Sequence, residues 1–376
     1  MRNSPNWPGP HAHILRHAPD AAVLYFSPDV LQATARRFQA GFGGLVTYAV
    51  KANPCEEVLA NLAAAGIGAF DVASPEEMRA VRRVCPTAVL HYNNPVRSPA
   101  EVAIAAKMVV RSFSIDCLGE LDKLTGHIAP DSEISVRLAL PVRGAAYDFG
   151  AKFGAGPDRA AELLREVVKR GFTPSMTFHP GTQCADPAAW GAYIGTVSEV
   201  AKAAGVRLSR LNVGGGFAAH RVGSAPDLEA IFAHISAEVA QAFGANAPAL
   251  VCEPGRAMVA EAFTLAVRVK AVRDCGAVFL NDGVYGGLTE MRDIGAPDRI
   301  RVMAPDGTPR TAAPRDRVVF GPTCDSIDRL PDPLALPGDL QEGDYLLISG
   351  MGAYSQSLST GFNGYGLSDV VTVASV

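Results

Sequence analysis

Lys51 is the strongest candidate for a reactive side chain in this chain, because it ends the apolar run "LVTYAVK". Burying an unpaired ammonium group is costly, and it shifts the amine toward its neutral form. A neutral amine at a strand end can attack a carbonyl carbon and form a Schiff base. A lysine that extends its charge to solvent would account for the same stretch, so both interpretations are open at this point.

Other side chains that could take part in a reaction or in ligand binding follow later strand-like runs. His179 ends "SMTFH", Gly214–Gly216 follow "LSRLNV", and Glu253 and Arg256 belong to "EPGR". Successive glycines expose backbone N–H groups that bind phosphate, and an arginine can complete the clamp. Each feature has a structural alternative: a packed histidine, a tight turn or a salt-bridged loop. Taken together, they favour a phosphorylated cofactor that carries a carbonyl for Lys51, namely pyridoxal 5'-phosphate (PLP).

These residues need a scaffold that brings distant strand ends together. Eight β-type runs, most of them followed by stretches with helical spacing, occur at 45–50, 68–72, 88–92, 109–115, 133–140, 175–179, 208–213 and 248–253. Alternating strands and helices favour a parallel sheet, and eight such units predict a closed (β/α)8 TIM-like barrel with its chemistry at the C-terminal strand ends. An open doubly wound sheet is the alternative, but no G-x-G-x-x-G follows the first strand.

After about residue 262 the pattern changes to strands separated by turns. Runs such as "FTLAVRVKAVRD", "DYLLISG" and "VVTVASV" predict an all-β domain, either a β-sandwich or a small β-barrel. The strand-like "AAVLYFS" precedes the first barrel run, so the N-terminal segment is expected to join that domain. We therefore predict a PLP-binding barrel over residues 27–262 and a β-rich domain over residues 1–26 and 263–376.

Composition limits the class of protein. The 376 residues are 48% hydrophobic and 19% charged, with a formal net charge of -4, so no basic surface for nucleic acid or anionic lipid is indicated. Seven scattered cysteines without a C-x-x-C pair argue for free thiols, and against a disulfide framework or a zinc ribbon. Neither a signal peptide nor an apolar run of membrane-spanning length is evident. We expect a cytoplasmic globular protein without a metal site.

The motifs resemble those of the fold-type III PLP-dependent decarboxylases, most closely the ornithine decarboxylase group. They follow the family order from about residue 21 to residue 366, and they include "YAVKAN", "FDVASPEE", "FSID", "KFG", "TFHPGTQ", "NVGGGF", "EPGRAMVAEAFTLAV" and "NDGVYGG". The two most specific are "GPTCDSID" and "MGAYSQSLSTGFNGYG". The resemblance implies an alanine racemase-like fold, in which a barrel is combined with a β-rich domain, and the decarboxylation of a basic amino acid.

The resemblance also implies roles for individual residues in PLP binding. Lys51 would bind the cofactor aldehyde covalently, Glu253 would pair with the ring nitrogen, and His179 would stack on the ring face. The phosphate would be held by Thr182, Gly214, Gly215, Gly216, Arg256 and Tyr354. Acidic positions near the lysine would be Asp71 and Glu77, with Arg137 as a buried ion-pair partner.

Expectations for the substrate come from "CDSID". Active sites of this group are shared across a head-to-tail homodimer, so Cys324 and Asp325 would act in the site of the partner subunit. Cys324 would protonate the substrate α-carbon after CO2 leaves, and Asp325 would bind the distal ammonium group, a task that Asp293 would share. The segment before Asp293 is one residue shorter than the usual pattern, and Arg292 replaces an aromatic residue. "HPGT" also departs from the common "HVGS", and Pro180 would stiffen that loop.

The expected substrate is L-ornithine, which would give putrescine and CO2 and place the enzyme in polyamine biosynthesis. L-Lysine, which is longer by a single methylene group, and dual specificity are alternatives. Diaminopimelate fits less well because that branch carries "CES" where this chain has "CDS". A racemase would need a base on the second face of the substrate instead of this cysteine. A non-catalytic decoy or PLP carrier would have lost Lys51, the phosphate ligands or the Cys–Asp pair, and all are present.

Overall fold

The computed structural model describes residues 7–140, 152–367 and 369–376. The described residues within Thr34–Ala218 and Pro226–Gly255 form one unit, here called the barrel unit. Those within Met1–Ala33, Ala219–Ala225 and Arg256–Val376 form the other, here called the β-rich unit. The short segment Ala219–Ala225 belongs to the β-rich unit, although nothing in the sequence pattern distinguishes it from the barrel residues on either side.

The barrel unit is built on a parallel sheet that closes on itself. Its strands are Leu45–Val46, Tyr48–Ala49, Ala69–Val72, Val89–Tyr92, Ser112–Ile115, Glu133–Arg137, Thr173–Thr177, Arg210–Asn212 and Ala249–Cys252. The first two segments are halves of one strand interrupted at Thr47: the first half pairs with the last strand and the second half with Ala69–Val72. If the two halves are counted as a single strand, the nine segments make eight strands. The predicted (β/α)8 barrel is confirmed.

Helices follow most of these strands. The α-helices are Pro28–Gly41, Glu56–Ala64, Pro75–Val84, Pro99–Lys107, Leu118–Leu124, Pro157–Lys169, Ala188–Ala204 and Leu228–Phe243, and the short 3-10 turns are Val50–Ala52 and Gly244–Asn246. Local sequence explains where several of them begin. Ser74 and Ser98 each cap a helix whose first residue is proline, and Ser98 forms a capping box with Glu101.

Both faces of the barrel strands are covered, so the strands are almost continuously buried. Large apolar side chains from successive strands contribute to the core, including Phe70, Leu90, Phe113, Ile134, Met176 and Leu211. Buried polar side chains interrupt this pattern toward the carboxyl ends of strands, as at Asp71 and Asn212. Because parallel strands end at one edge of the barrel, these polar groups lie at the same rim.

The β-rich unit contains a second sheet and several short elements. Its strands are Val23–Phe26, Phe263–Val272, Val278–Leu280, Ile300–Met303, Pro314–Arg317, Val319–Phe320, Leu334–Pro337, Tyr345–Ser349 and Asp369–Thr372. Its helical segments are Pro10–His17, Arg256–Val259, Ala260–Ala262, Met291–Ile294 and Phe362–Gly364. Val23–Phe26 lies within the main sheet, antiparallel to Phe263–Val272 and parallel to Asp369–Thr372. The predicted all-β character of this part of the fold is thereby confirmed.

An N-terminal helix that the sequence pattern did not predict packs on this sheet. Ile14 of Pro10–His17 is buried in a cluster with Tyr25, Met303, Tyr345 and Leu347. Burial of these apolar groups, rather than intrinsic helix propensity, stabilises such a short helix. Within the described residues, no helix is both long and apolar enough to cross a membrane.

Candidate active site

Lys51 lies at the carboxyl end of the first barrel strand, in the 3-10 turn Val50–Ala52. Its neighbours Val50 and Ala52 are buried, whereas Lys51 is exposed. The turn rotates its side chain away from the core and into the lining of a cavity of about 230 Å³. The ammonium group of this apolar segment is therefore directed to an open site at the barrel rim.

The cavity collects polar side chains from several barrel strands. Besides Lys51, its lining includes Asp71, Asn93, Arg137, His179 and Glu253. The structure thus brings Lys51, Asp71, Arg137, His179 and Glu253 together, which are five of the residues named from the sequence. Asn93 was not among them.

Glu253 directly follows the last barrel strand and is buried. Its Oε1 accepts hydrogen bonds from the side-chain amides of Asn93 and Asn212. Burial raises the pKa of Glu253, and the neighbouring Asp71 carboxylate raises it further, while the Asn212 amide opposes the rise. Two neutral donors therefore orient a carboxylate that is available to a protonated or cationic group.

Asp71 is the second buried carboxylate of the cavity, with 6% of its surface exposed. Burial raises its pKa, and this rise is opposed first by the charge of Lys51 and then by Asn93. Glu77, the other acidic position named from the sequence, accepts a hydrogen bond from the Ala73 N–H at 2.7 Å. Burial raises the pKa of Glu77 to about 7.

The cavity also contains buried acceptor atoms that lack a donor. Oδ1 of Asp71 and Oδ1 of Asn93 have no hydrogen-bond partner within the described part of the chain. Leaving a buried acceptor unsatisfied is costly. The site therefore suits a ligand that brings N–H or O–H donors. A pyridinium ring with a hydroxyl group and a bound amine, as in PLP, has such donors.

His179 lies two residues after the strand Thr173–Thr177 and presents its ring to the cavity. The Gly181 N–H donates to Nδ1 of His179 at 3.1 Å, so a neutral ring carries its proton on Nε2. Burial lowers the pKa of His179 well below its usual value, and the charges of Lys51 and Arg137 lower it further. A neutral, fixed ring fits a stacking role better than that of a proton donor.

The tract Gly214–Gly216 accepts no side chain at any of its positions. Gly214 and Gly216 have φ angles of +69° and +83°, a region that favours glycine. A Cβ atom on Gly214 would overlap the carbonyl oxygen of Phe178, and a Cβ on Gly216 would overlap that of Gly181. At Gly215 a Cβ would lie 2.7 Å from the carbonyl oxygen of Glu253. The backbone of this turn is therefore packed directly against two other strand ends.

The N–H groups of this tract have the pattern of an anion cradle. The Gly214 N–H donates to Asn212 Oδ1 at 2.9 Å, whereas those of Gly215 and Gly216 have no acceptor among the residues that the structure describes. Thr182 is buried in the neighbouring loop. Adjacent backbone N–H donors in a loop after a strand bind phosphate oxygens, so the tract fits the phosphate of PLP.

Within the β-rich unit, Arg256 is buried and held by a residue that was not expected. Both carboxylate oxygens of Glu290 accept from the Arg256 guanidinium, with Nη2 and Oε1 2.5 Å apart. The Tyr354 ring lies 5.0 Å from the Arg256 guanidinium carbon, and Arg221 Nη1 lies 3.9 Å from Glu290. A planar carboxylate–guanidinium pair fixes the orientation of Arg256.

The "CDSID" loop of the β-rich unit presents Cys324 at the surface and Asp325 at an intermediate depth. Asp325 Oδ2 accepts the hydroxyl hydrogen of Tyr285 at 2.6 Å, and this hydrogen bond lowers the pKa of Asp325. The Cys324 N–H donates to Asn363 Oδ1 at 3.1 Å. The buried Asp328 carboxylate accepts N–H groups of the surrounding turns and holds the loop in shape.

Asp293 has a different environment from Asp325. It lies on the short helix Met291–Ile294, where its Oδ1 is 3.0 Å from Nε of Arg292, and about half of each side chain is exposed. Such a pair contributes little to stability, but it places a cation beside the carboxylate. Asp325 is therefore hydrogen-bonded to a neutral side chain, whereas Asp293 is paired with a cation.

Comparisons with known proteins agree with this arrangement. Residues 29–260 match the family model described as pyridoxal-dependent decarboxylase, pyridoxal binding domain. A decarboxylase of Aspergillus flavus is 32% identical over 337 residues, which cover 85% of this chain and 77% of the relative. The lysine/ornithine decarboxylase of Selenomonas ruminantium is 31% identical over 87% of this chain and 82% of its own. The crystal structure of the arginine decarboxylase of Paramecium bursaria Chlorella virus is similar with a TM-score of 0.86, at 26% identity over 96% of this chain and 98% of that one.

Proposed function

This chain belongs to the family of pyridoxal-dependent decarboxylases, and we propose that its substrate within that family is L-ornithine. It is a PLP-dependent enzyme that decarboxylates a basic amino acid. The relatives are named for ornithine, lysine and arginine, so similarity alone does not choose among these substrates. The proposed products are putrescine and CO2, and the proposed setting is polyamine biosynthesis.

The choice of ornithine depends on the Cys324–Asp325 pair. Asp325 is the proposed anchor for the distal ammonium, and its carboxylate is fixed by Tyr285. The proposed proton donor for the α-carbon is the adjacent residue, and adjacent Cα atoms are only about 3.8 Å apart. A carboxylate that anchors a distal ammonium favours a basic amino acid, and several relatives of this chain are named for ornithine. The second candidate is an enzyme that acts on L-lysine, or on both L-lysine and L-ornithine, because one relative is named for both substrates.

The proposed roles of the barrel residues follow from their contacts. When bound, PLP supplies an electron sink that stabilises the charge left on the substrate α-carbon as CO2 departs. Lys51 provides the amine that holds the aldehyde, and Glu253, oriented by its two amide donors, pairs with the ring nitrogen. The neutral His179 ring restrains the cofactor plane. Gly215 and Gly216 donate N–H groups to the phosphate.

The remaining assignments are also proposals. Thr182, Arg256 and Tyr354 complete the set of phosphate ligands. The Cys324 thiol donates a proton to the α-carbon, and it does so in the active site of the partner subunit of a homodimer. The proposed location is the cytoplasm, where the seven free cysteines would stay reduced.

Release of CO2 by the PLP-loaded protein tests the substrate assignment. With L-ornithine and L-lysine at equal, low concentration, we expect ornithine to react faster, because one methylene group is worth about 1–3 kcal/mol in a fitted site, or roughly tenfold or more. Comparable rates would indicate a dual-specificity enzyme. A faster reaction with lysine, or turnover of arginine alone, would contradict the assignment.

Replacement of the two acids separates their contributions to the distal site. We expect Asp325→Asn to lower kcat/KM for L-ornithine about a hundredfold, because the substrate ammonium would lose a charged partner in a desolvated site. Asp293→Asn is the matched variant, and its effect should be several times smaller because Arg292 already neutralises Asp293. Steady-state kinetics of both variants provide the measurement. A larger loss with Asp293→Asn would reverse the assignment.

A further inference from the structure

Asn93 lines the barrel cavity together with the two buried carboxylates and has no role assigned so far. It directly follows the strand Val89–Tyr92 and has 8% of its surface exposed. Its Nδ2 donates to Glu253 Oε1, and hydrogen bonding from Asn93 also lowers the pKa of Asp71. The amide therefore contacts Glu253 directly, and Asp71 lines the same cavity.

The chemistry of an amide suits this position. Two carboxylates in one buried cavity repel each other, and without compensation one of them takes up a proton. The NH2 group of asparagine has two N–H donors, enough for one oxygen of each acid, and it adds no charge. The opposite amide orientation would direct Oδ1 at Glu253 and add a repulsive contact. The orientation seen leaves Oδ1 buried without a partner in the described part of the chain, a cost that only strong contacts of the NH2 group would offset.

The backbone around Asn93 is held in place by a buried arginine. Arg97, with 2% of its surface exposed, donates to the carbonyl oxygens of Tyr92 at 3.3 Å and Asn94 at 2.8 Å. It also donates to the carbonyl oxygen of Ser114 on the neighbouring strand. Both residues that flank Asn93 are thus fixed to one rigid group. A side chain on such a backbone is positioned before any ligand binds.

We propose that Asn93 is a positioning residue for PLP binding: its amide donates to Glu253 and directs that carboxyl group at the cofactor ring nitrogen. The inference rests on the proposed role of Glu253 in cofactor binding. It identifies a determinant of cofactor affinity that is independent of the choice of substrate.

Equilibrium titration with PLP tests the role of the amide. The enzyme is stripped of cofactor and titrated at pH 8, and bound PLP is followed by its absorbance. We expect Asn93→Ala to raise the Kd for PLP about tenfold, because a hydrogen bond to a charged group is lost. Asn93→Asp keeps the shape of the side chain but puts a third carboxylate beside Glu253 and Asp71, so its Kd should rise further, by at least about threefold over Asn93→Ala.

The order of the two variants distinguishes hydrogen-bond donation from packing. If Asn93 only fills space, Asn93→Asp would bind PLP almost as well as the wild type and Asn93→Ala would be the weaker binder, which would overturn the proposal. An unchanged Kd for Asn93→Ala would also overturn it. Asn61→Ala, at a partly exposed position of the helix Glu56–Ala64, serves as the control for substitution itself, and thermal melting confirms that each variant is folded. Because the titration contains no amino acid, its outcome does not depend on whether ornithine is the substrate.

Discussion

Lys51→Ala should abolish the absorbance band of the lysine-bound cofactor and lower the rate of CO2 release by at least about 10³-fold, because no other group would replace the covalent amine. Lys51 reaches the cavity through the turn Val50–Ala52 and lies there with Asp71 and Glu253. The measurement is an absorbance spectrum of the purified variant with added PLP, followed by an assay of CO2 release. The protein should remain folded, since the Lys51 side chain is exposed.

A second cavity lysine provides the matched control for this experiment. Lys152 also lines the cavity, and its ammonium lies 5.0 Å from the centre of the Phe153 ring. Lys152→Ala should retain the absorbance band of the lysine-bound cofactor. An unchanged spectrum in Lys51→Ala, or loss of the band in Lys152→Ala alone, would show that the assignment of Lys51 is wrong.

Mixing two inactive variants should restore activity if the active site is shared between subunits. A heterodimer of Lys51→Ala and Cys324→Ala chains would hold one site with both defects and one site with neither. Random exchange of subunits would then recover about a quarter of the wild-type activity, since half of the dimers are mixed and each has one intact site. The measurement is CO2 release from L-ornithine before and after exchange. Formation of mixed dimers is verified by co-purification of differently tagged chains.

A different pair of variants shows whether the recovery depends on sharing. Lys51 and Glu253 line the same barrel cavity, so mixing Lys51→Ala with Glu253→Ala chains should recover no activity. Recovery with this pair would mean that exchange alone repairs the enzyme. Absence of recovery with the Lys51→Ala and Cys324→Ala pair, despite proven exchange, would contradict a shared site.

The sequence by itself determined the parts of this protein that local patterns encode. The strand and helix periods were sufficient to predict the closed barrel, because apolar runs of strand length alternate with helical stretches. Strand ends were sufficient to indicate Lys51, His179 and Glu253, because parallel barrel strands end at one rim. Family motifs then indicated PLP and the decarboxylation of a basic amino acid, and the comparisons confirm both.

Only the tertiary structure determined which neutral and charged side chains surround these residues. Asn93 and Glu253 are 160 positions apart in the chain and hydrogen-bonded in the fold, and no local pattern marks that pairing. The same is true of the hydrogen bond between Arg256 and Glu290 and of the one between Tyr285 and Asp325. Even the direction of Lys51 depended on a turn that breaks the strand pattern. Hydrogen bonds and burial depend on distances between remote segments, and these distances exist only once the chain has folded. The sequence therefore indicated the candidate site residues, and the fold determined their surroundings and orientation.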